Sequence, residues 1–384
     1  MSSKEEIKMS EETDFLYLGE PEVIEAGVGD MPRCIDTMVD VIKLINAGDY
    51  MMSGKNHNSH GAMVSFPDDP PFPNMPKNGP DRRFMAMPAY LGGRYNIAGV
   101  KWYGSNTDNK RKGIPRSVLM LTLSDADTGI PKAFMSANLI SSYRTGAMSG
   151  AGVRYLKPKT ARVVGLVGPG VMGRTTLRAI CSECPDVSVV KVKGRGQQSF
   201  EDFVDYVHKE IPQIKDIRKV DTLKEVVTDS DIVTLCTSSA VDIKDWPFIE
   251  ESWIKKGALF CLPATCNFDD DFLAKRARKV VDNMKLYDAW AAEYPYPTFG
   301  DITILGSKFT DMVHEGKISR DDIDDLGDII LGKKPGRKSD DEIILYSVGG
   351  MPIEDVAWGK DLYEYAKDHG IGTQLRLWDK PAMM

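Results

Sequence analysis

Apolar residues Ile35, Met38, Val39, Ile42 and Ile45 recur at helical spacing, so residues 31–46 are expected to form a helix with one buried stripe. The stretch ahead of it, 14–18, reads as a strand. Residues 48–82 then lose all periodicity and fill with Gly, Pro, Asn and Ser; a segment this long is functional or mobile rather than filler. Strand patterns follow at 84–89, 97–103, 117–124 and 133–138, the last two joined by the turn signal Asp125-Ala126-Asp127-Thr128-Gly129 as in a hairpin. This half is therefore an α+β unit with a mostly antiparallel sheet, and a helix over 139–156 leads out of it. From 161 onward strands (161–167, 187–192, 217–220, 231–237, 258–262, 279–281) alternate with helices (174–181, 199–209, 223–228, and a short one beginning at Trp253). Helical segments at 308–315 and 320–331, a strand at 343–348 and a helix over 353–369, stopped by Gly370, complete the pattern. Such alternation predicts an α/β, doubly wound parallel sheet of Rossmann type, with its ligand across the carboxyl ends of the strands.

Composition narrows the function. A chain of 384 residues that is 42% hydrophobic and 27% charged has room for two cores. Its net charge of -7 argues against nucleic acid as a partner, because phosphate binding needs a concentrated positive field. The polar, acidic first residues and the lack of a membrane-length apolar run point to a cytoplasmic protein with no membrane partner. Six cysteines are too few for a disulfide framework. The pair Cys181 and Cys184 lacks the partners of a zinc site, and His57 and His60 read as surface or satisfied core residues, so no metal is expected. The aspartate runs at 269–271 and 321–325 read as a solvated face or a helix start. The aromatic group Trp290, Tyr294, Tyr296 and Phe299 is either a packed loop or a wall of a substrate pocket.

The strongest chemical signal lies in Gly168-Pro169-Gly170-Val171-Met172-Gly173, a G-x-G-x-x-G placed between a strand pattern and a helix pattern. The first glycine permits the tight turn, the second lets backbone approach a pyrophosphate, and the third lets helix pack on strand. The helix N-terminus offers free N–H groups to the phosphates. A dinucleotide site is expected there, with Thr237 and Ser238 joining it from the end of the 231–237 strand.

The segments MPAYLGG (87–93), GVKWYG (99–104), DADTGIPKAFMSANLISSYRTGAMSGAGVRYL (125–156), GLVGPGVMG (165–173), SDIV (230–233) and the tail from 332 to 373 together resemble the ornithine cyclodeaminase/mu-crystallin family over roughly residues 14–378. The resemblance implies a substrate-binding and dimerisation domain over 1–144, completed by 349–384, and a Rossmann domain over 145–348. It implies a homodimer, a nicotinamide cofactor and a small amino- or imino-acid substrate. It further implies that Lys101 is the active-site lysine, that Arg144 binds a substrate carboxylate, that Arg83 or Arg82 does so too, with Arg83 preferred, and that Ser347 lies near the nicotinamide. The chemistry agrees, since a guanidinium holds a carboxylate in a plane and a lysine of lowered pKa polarises and protonates an imine.

Two departures from the family matter. Where many relatives end the second Rossmann strand in an acid for the ribose 2′-OH, this chain has Gly194, followed by Arg195 and preceded by Lys193; this favours NADP(H), with NAD(H) still possible. The proton-handling aspartate of cyclodeaminases is matched by Thr265, which cannot act as that base and is left as a substrate or relay contact, unless Asp269 is recruited instead. The expected function is therefore hydride transfer between nicotinamide and a small α-imino or α-amino acid. An ornithine- or lysine-type cyclodeaminase using bound NAD, and a dinucleotide-dependent binding protein or partner subunit, are the alternatives.

Overall fold

The structure, a computed structural model, describes residues 12–237 and 245–383. Its first half comprises β1 (Thr13–Leu18), α1 (Glu20–Glu25), α2 (Met31–Ala47), β2 (Tyr50–Met52), β3 (Ala62–Ser65), β4 (Arg83–Leu91), β5 (Ile97–Ser105), β6 (Ser117–Asp125) and β7 (Pro131–Ser136), and α3 (Asn138–Leu156) leads on. The second half runs β8 (Val163–Val167), α4 (Val171–Glu183), β9 (Val189–Lys193), α5 (Gln197–Glu210), β10 (Asp216–Lys219), α6 (Leu223–Val227) and β11 (Ile232–Leu235). It continues through β12 (Phe248–Ile249), β13 (Leu259–Leu262), β14 (Asn267–Phe268), α7 (Asp270–Lys275), β15 (Arg278–Val281), α8 (Met284–Glu293) and α9 (Leu305–His314). The chain ends with β16 (Ile323–Asp325), α10 (Leu326–Ile330), β17 (Ile344–Ser347), α11 (Pro352–His369) and β18 (Thr373–Trp378).

The described residues form two large sheets. One has the order β18-β1-β7-β6-β5-β4-β2, with β3 also on β4; only its β1–β7 pair is parallel. Its strands alternate, so that Met85, Met87, Lys101, Leu121 and Met135 face inward. The other, β10-β9-β8-β11-β13-β17-β15-β16, is parallel throughout. Its central strands β11, β13 and β17 are buried at every residue, as expected of a sheet covered on both faces.

Helix α2 starts where the Asp30 side chain accepts from Arg33 N (3.2 Å) and stops at Gly48, whose φ of +79° suits a left-handed cap. Helix α11 returns from the parallel sheet to lie on the inner face of the antiparallel one. Gly359 permits this approach, because a Cβ there would stand 2.2 Å from Leu121 Cδ2.

Four local expectations need revision. Residues 320–331 form not one helix but a 3-10 turn (Arg320–Asp322), then β16 on the sheet edge, then α10. Ser319 caps the turn and Asp325 accepts from Gly327 N (2.9 Å), so two polar caps divide what apolar spacing alone would join. Trp253 closes a 3-10 turn instead of opening a helix, since Ile254 is already extended. The 48–82 segment contributes the short strands β2 and β3, and β18 adds an exposed edge strand beyond the expected elements.

Candidate active site

Lys101 projects from the inner face of β5 and is buried, with Nζ donating to Asp355 Oδ2 (2.7 Å) and to Ser141 Oγ (3.3 Å). Arg144, one turn along α3 from Ser141, donates from Nη1 to Glu354 Oε2 (2.7 Å), and its Nε stands 3.2 Å from Asp355 Oδ1. Both carboxylates occupy the first turn of α11, where the helix dipole favours negative charge. Glu354 also accepts from Met351 N (2.9 Å), which closes that helix end.

Burial sets the protonation of this cluster. It brings the Lys101 pKa down to about 8 against the opposing pull of Asp355, with Arg144 adding to the depression. Burial also lifts the Glu354 carboxyl to about 7 although Arg144 opposes it. Asp355 is equally buried, yet Arg144 and Lys101 together hold it below the usual carboxylate range. The result is one firm anion between two cations, beside one carboxyl poised near neutrality.

The next element is the turn after β17. Asp282, fully buried, accepts from Gly349 N (2.7 Å), Gly350 N (3.3 Å) and Asn283 N (3.0 Å), and from Tyr287 OH (3.0 Å). Gly350 has a φ of +76°, and a Cβ there would come within 2.9 Å of Arg144 Nη1. Ser347 lies at the end of β17 as expected, but its hydroxyl is occupied, accepting from Gly306 N (2.8 Å) and lying 3.2 Å from Tyr287 OH. His60 reaches the same turn from the 48–82 segment, its Nδ1 3.0 Å from Gly350 O and its ring 5.7 Å from that of Trp290. Trp290 also stands against Gly349, so the aromatic group is partly helical, on α8, and helps to wall this corner.

The two candidate arginines of the 82–83 pair separate cleanly. Arg83 shares the inner face with Lys101, ion-paired to Asp81. It stands four registers from Lys101's partner Met87, roughly 13 Å along the strand. Arg82 donates to Lys77 O (2.8 Å) and lines a groove on the outer face with Phe66, Phe84 and Trp102. Thr265 is buried with its hydroxyl 2.6 Å from that of Thr303. The Asp269 carboxylate instead caps α7, accepting from Asp271 N (2.9 Å) and Phe272 N (3.2 Å).

At the carboxyl end of the parallel sheet a cleft of 510 Å³ is lined by Gly168, Pro169, Gly170, Gly194, Arg195 and Thr237, among others. Ser238 lies outside the described residues. The glycines fit a dinucleotide for separate reasons. Gly168 has a φ of +92°; a Cβ at Gly173 would stand 2.1 Å from Gly168 O; and the space in front of Gly170 is open. Val171 and Met172 form the first turn of α4, whose N–H groups have no acceptor within the helix and which no side chain caps. A Cβ at Gly194 would lie 2.8 Å from Pro169 Cγ, so packing as well as ligand chemistry bears on the missing acid. Lys110 reaches the same cleft from the antiparallel-sheet half.

Sequence reasoning read His60 as a surface or satisfied core residue, and passed over Asp282, Glu354 and Asp355. The last two stand in the GGMPIEDVAWG segment, where paired acids at a helix start were the available signal.

Comparison with known proteins places this arrangement. The chain is 28% identical over 368 residues to N-((2S)-2-amino-2-carboxyethyl)-L-glutamate dehydrogenase of Staphylococcus aureus, covering 95% of this chain and 99% of that one. Its fold matches Δ1-pyrroline-2-carboxylate reductase of Thermococcus litoralis, solved with NADH and L-proline (TM-score 0.73, 24% identity, 94% and 99% coverage). It matches equally an archaeal alanine dehydrogenase dimer with bound NAD (TM-score 0.73, 24% identity, 95% and 100% coverage). With the family profile matching residues 28–370, the chain belongs to the ornithine cyclodeaminase/mu-crystallin family.

Proposed function

We propose that this protein is an NAD(P)-dependent reductase or dehydrogenase of small α-imino or α-amino acids. The observation that carries it is the buried Lys101–Asp355–Arg144 cluster, with the glycine-lined cleft at the end of the adjoining sheet. Gly168, Pro169, Gly170, Gly173 and Thr237 would hold the dinucleotide, which when bound supplies or accepts a hydride. Arg144, whose Nη2 has among the described residues only a 3.4 Å hydrogen bond to Ser141 Oγ, offers an edge to the substrate's α-carboxylate. Lys101 holds a proton near the substrate nitrogen, and Asp355 fixes its position. Arg83, farther along the same face, suits an anionic group at the distal end of the substrate. Ser347 and Thr265 act through the positions their hydroxyls hold, as supports of the pocket.

The test is oxidation of NADPH and NADH by the purified protein with cyclic ketimine carboxylates, and with 2-oxo acids plus ammonia or amines. Turnover of at least one such pair is expected; dinucleotide binding with no turnover on any would overturn the reading. The name of the Staphylococcus relative and the loss of the cyclodeaminase aspartate both favour a dehydrogenase over a cyclodeaminase.

For the cofactor we favour NADP(H), although the two solved neighbours above carry NADH and NAD. Gly194 offers no acid to a ribose 2′-OH, and Arg195 is exposed at the cleft with no ion pair among the described residues. Arg195→Ala is expected to weaken NADPH binding about tenfold or more, the worth of one charge-assisted contact, and to leave NADH unchanged. Equal effects on both, in a fluorescence titration, would remove the 2′-phosphate argument.

We further infer a homodimer, supported by the apolar outer face of the antiparallel sheet. There Trp102 and Phe84 stack at 5.7 Å and stay more than a third exposed beside Val118. Sedimentation velocity is expected to show a mass twice that of the chain.

A further inference from the structure

His60 sits where a surface histidine would not. Its loop is pinned on both sides: Ser59 N donates to Ser53 O (2.9 Å), and the buried Asn58 Oδ1 accepts from Tyr50 OH and from Asn283 Nδ2 (3.4 Å). A Cβ at the following Gly61 would meet Ala86 O at 2.5 Å, so the loop lies directly on β4. The ring is held between Trp290 and the Gly350 carbonyl.

That carbonyl decides the tautomer. A carbonyl oxygen only accepts, so Nδ1 carries the ring hydrogen and Nε2 presents a lone pair. Nε2 has no hydrogen-bond partner among the described residues, and the residue is partly reached by solvent. Gly350 ties the ring to the site, because its carbonyl holds His60 while a Cβ on it would stand 2.9 Å from Arg144 Nη1.

The charged groups that act on the ring are Lys101, Arg144 and Asp355. Burial is the main influence and the two cations add to it, lowering the ring pKa to about 3, so the imidazole stays neutral throughout the working range. A neutral ring with Nδ1–H already committed cannot be the proton donor. It can be an acceptor, beside the donors of Lys101 and Arg144.

We propose that His60 Nε2 accepts the N–H of the substrate's protonated imine or amine, and so makes the site select nitrogen at the α-carbon over oxygen. This rests on the reductase reading above. An iminium N–H donates to Nε2, whereas the oxygen of a 2-oxo acid meets a second lone pair and leaves the acceptor unpaired. Sites built around such a bond discriminate strongly against the partner that lacks it. His60 is thus a positioning and specificity residue, with Lys101 the proton carrier.

The experiment compares Δ1-pyrroline-2-carboxylate, or whichever ketimine is turned over best, with pyruvate supplied without ammonia, in the wild type, His60→Leu and His60→Gln. Dinucleotide titration first shows that each variant keeps its cofactor site. In His60→Leu, kcat/KM for the imine is expected to fall about 10- to 100-fold, the worth of a bond to a charged donor, while that for pyruvate changes less than about threefold. His60→Gln, whose amide oxygen can accept, is expected to recover part of the loss. The pH limb set by Lys101 is expected to stay in place in both.

A parallel fall for imine and pyruvate, or no fall for either, overturns the proposal. So does loss of the pH limb, which would make His60 the proton donor. A wild type that reduces pyruvate as well as it reduces the imine overturns it without any variant. If the wild type reduces no imine at all, the reductase reading itself has failed.

Discussion

Lys101→Ala is expected to lower kcat/KM by about 10²- to 10⁴-fold, the usual range for a removed general acid, while leaving dinucleotide affinity within about twofold. The split follows from position, because Lys101 stands on β5 among Ser141, Arg144 and Asp355, whereas the glycine turn that would bind the cofactor belongs to the parallel sheet. The wild type makes a second test through pH. The Lys101 ammonium, brought down to about 8, must be protonated to donate, so imine reduction is expected to decline as pH rises through about 8. Amine oxidation needs the neutral lysine and should gain over the same interval. A reduction profile that stays flat to pH 10 would exclude Lys101 as the donor.

Arg144→Ala has the largest expected effect on stability. The guanidinium is buried against Glu354 and Asp355, and its removal leaves two buried carboxylates with Lys101 alone to offset them. Breaking such a cluster costs about 3–5 kcal/mol. The pH dependence has a definite sign. Glu354 already sits at about 7, against an ordinary 4.5, and loss of its main cation raises it further. Above about 4.5 the folded variant then keeps a proton that the unfolded chain releases, so its stability falls as pH rises across that interval. Denaturant unfolding should show a smaller deficit against wild type at pH 6 than at pH 8.5. Equal deficits would mean that Glu354 does not take up the proton. Arg144→Lys keeps a charge but loses the planar fork, and should restore part of the stability while the substrate KM stays raised.

The parts of this site that the sequence reveals are those carried by local pattern. The glycine turn is legible because three backbone constraints fall within six residues, and Lys101 and Arg144 are legible through short motifs around them. Their counter-ions are not, since Asp355 lies 254 residues from Lys101 and Glu354 lies 210 from Arg144, and no spacing rule joins such distances. His60 was hidden for a related reason: a lone histidine in a Gly- and Asn-rich loop is ordinary, and only the returning Gly350 carbonyl makes it a fixed acceptor. Ser347 shows the opposite error, a position rightly placed at the strand end whose hydroxyl turns inward to Gly306 and Tyr287. In the fold, β16 was absorbed into a helix because Ile323, Leu326 and Ile329 satisfy helical spacing even though the first belongs to a strand.

The turn at Gly349 and Gly350 bears on handedness. Seven residues lie between Ser347, the last of β17, and Asp355, which orients Lys101, and the buried Asp282 grips the backbone between them. If Ser347 borders the nicotinamide, as the resemblance implies, the reducing face and the protonating face of a bound imine would be related through one short, clamped piece of main chain. The pocket's walls, by contrast, come from separate segments, the His60 loop and α8. Because His60 and Trp290 also bear on that stretch, at Gly350 and Gly349, substitutions in the walls are expected to change which side chains are admitted and also to disturb the main chain that would set the configuration of the product at its α-carbon.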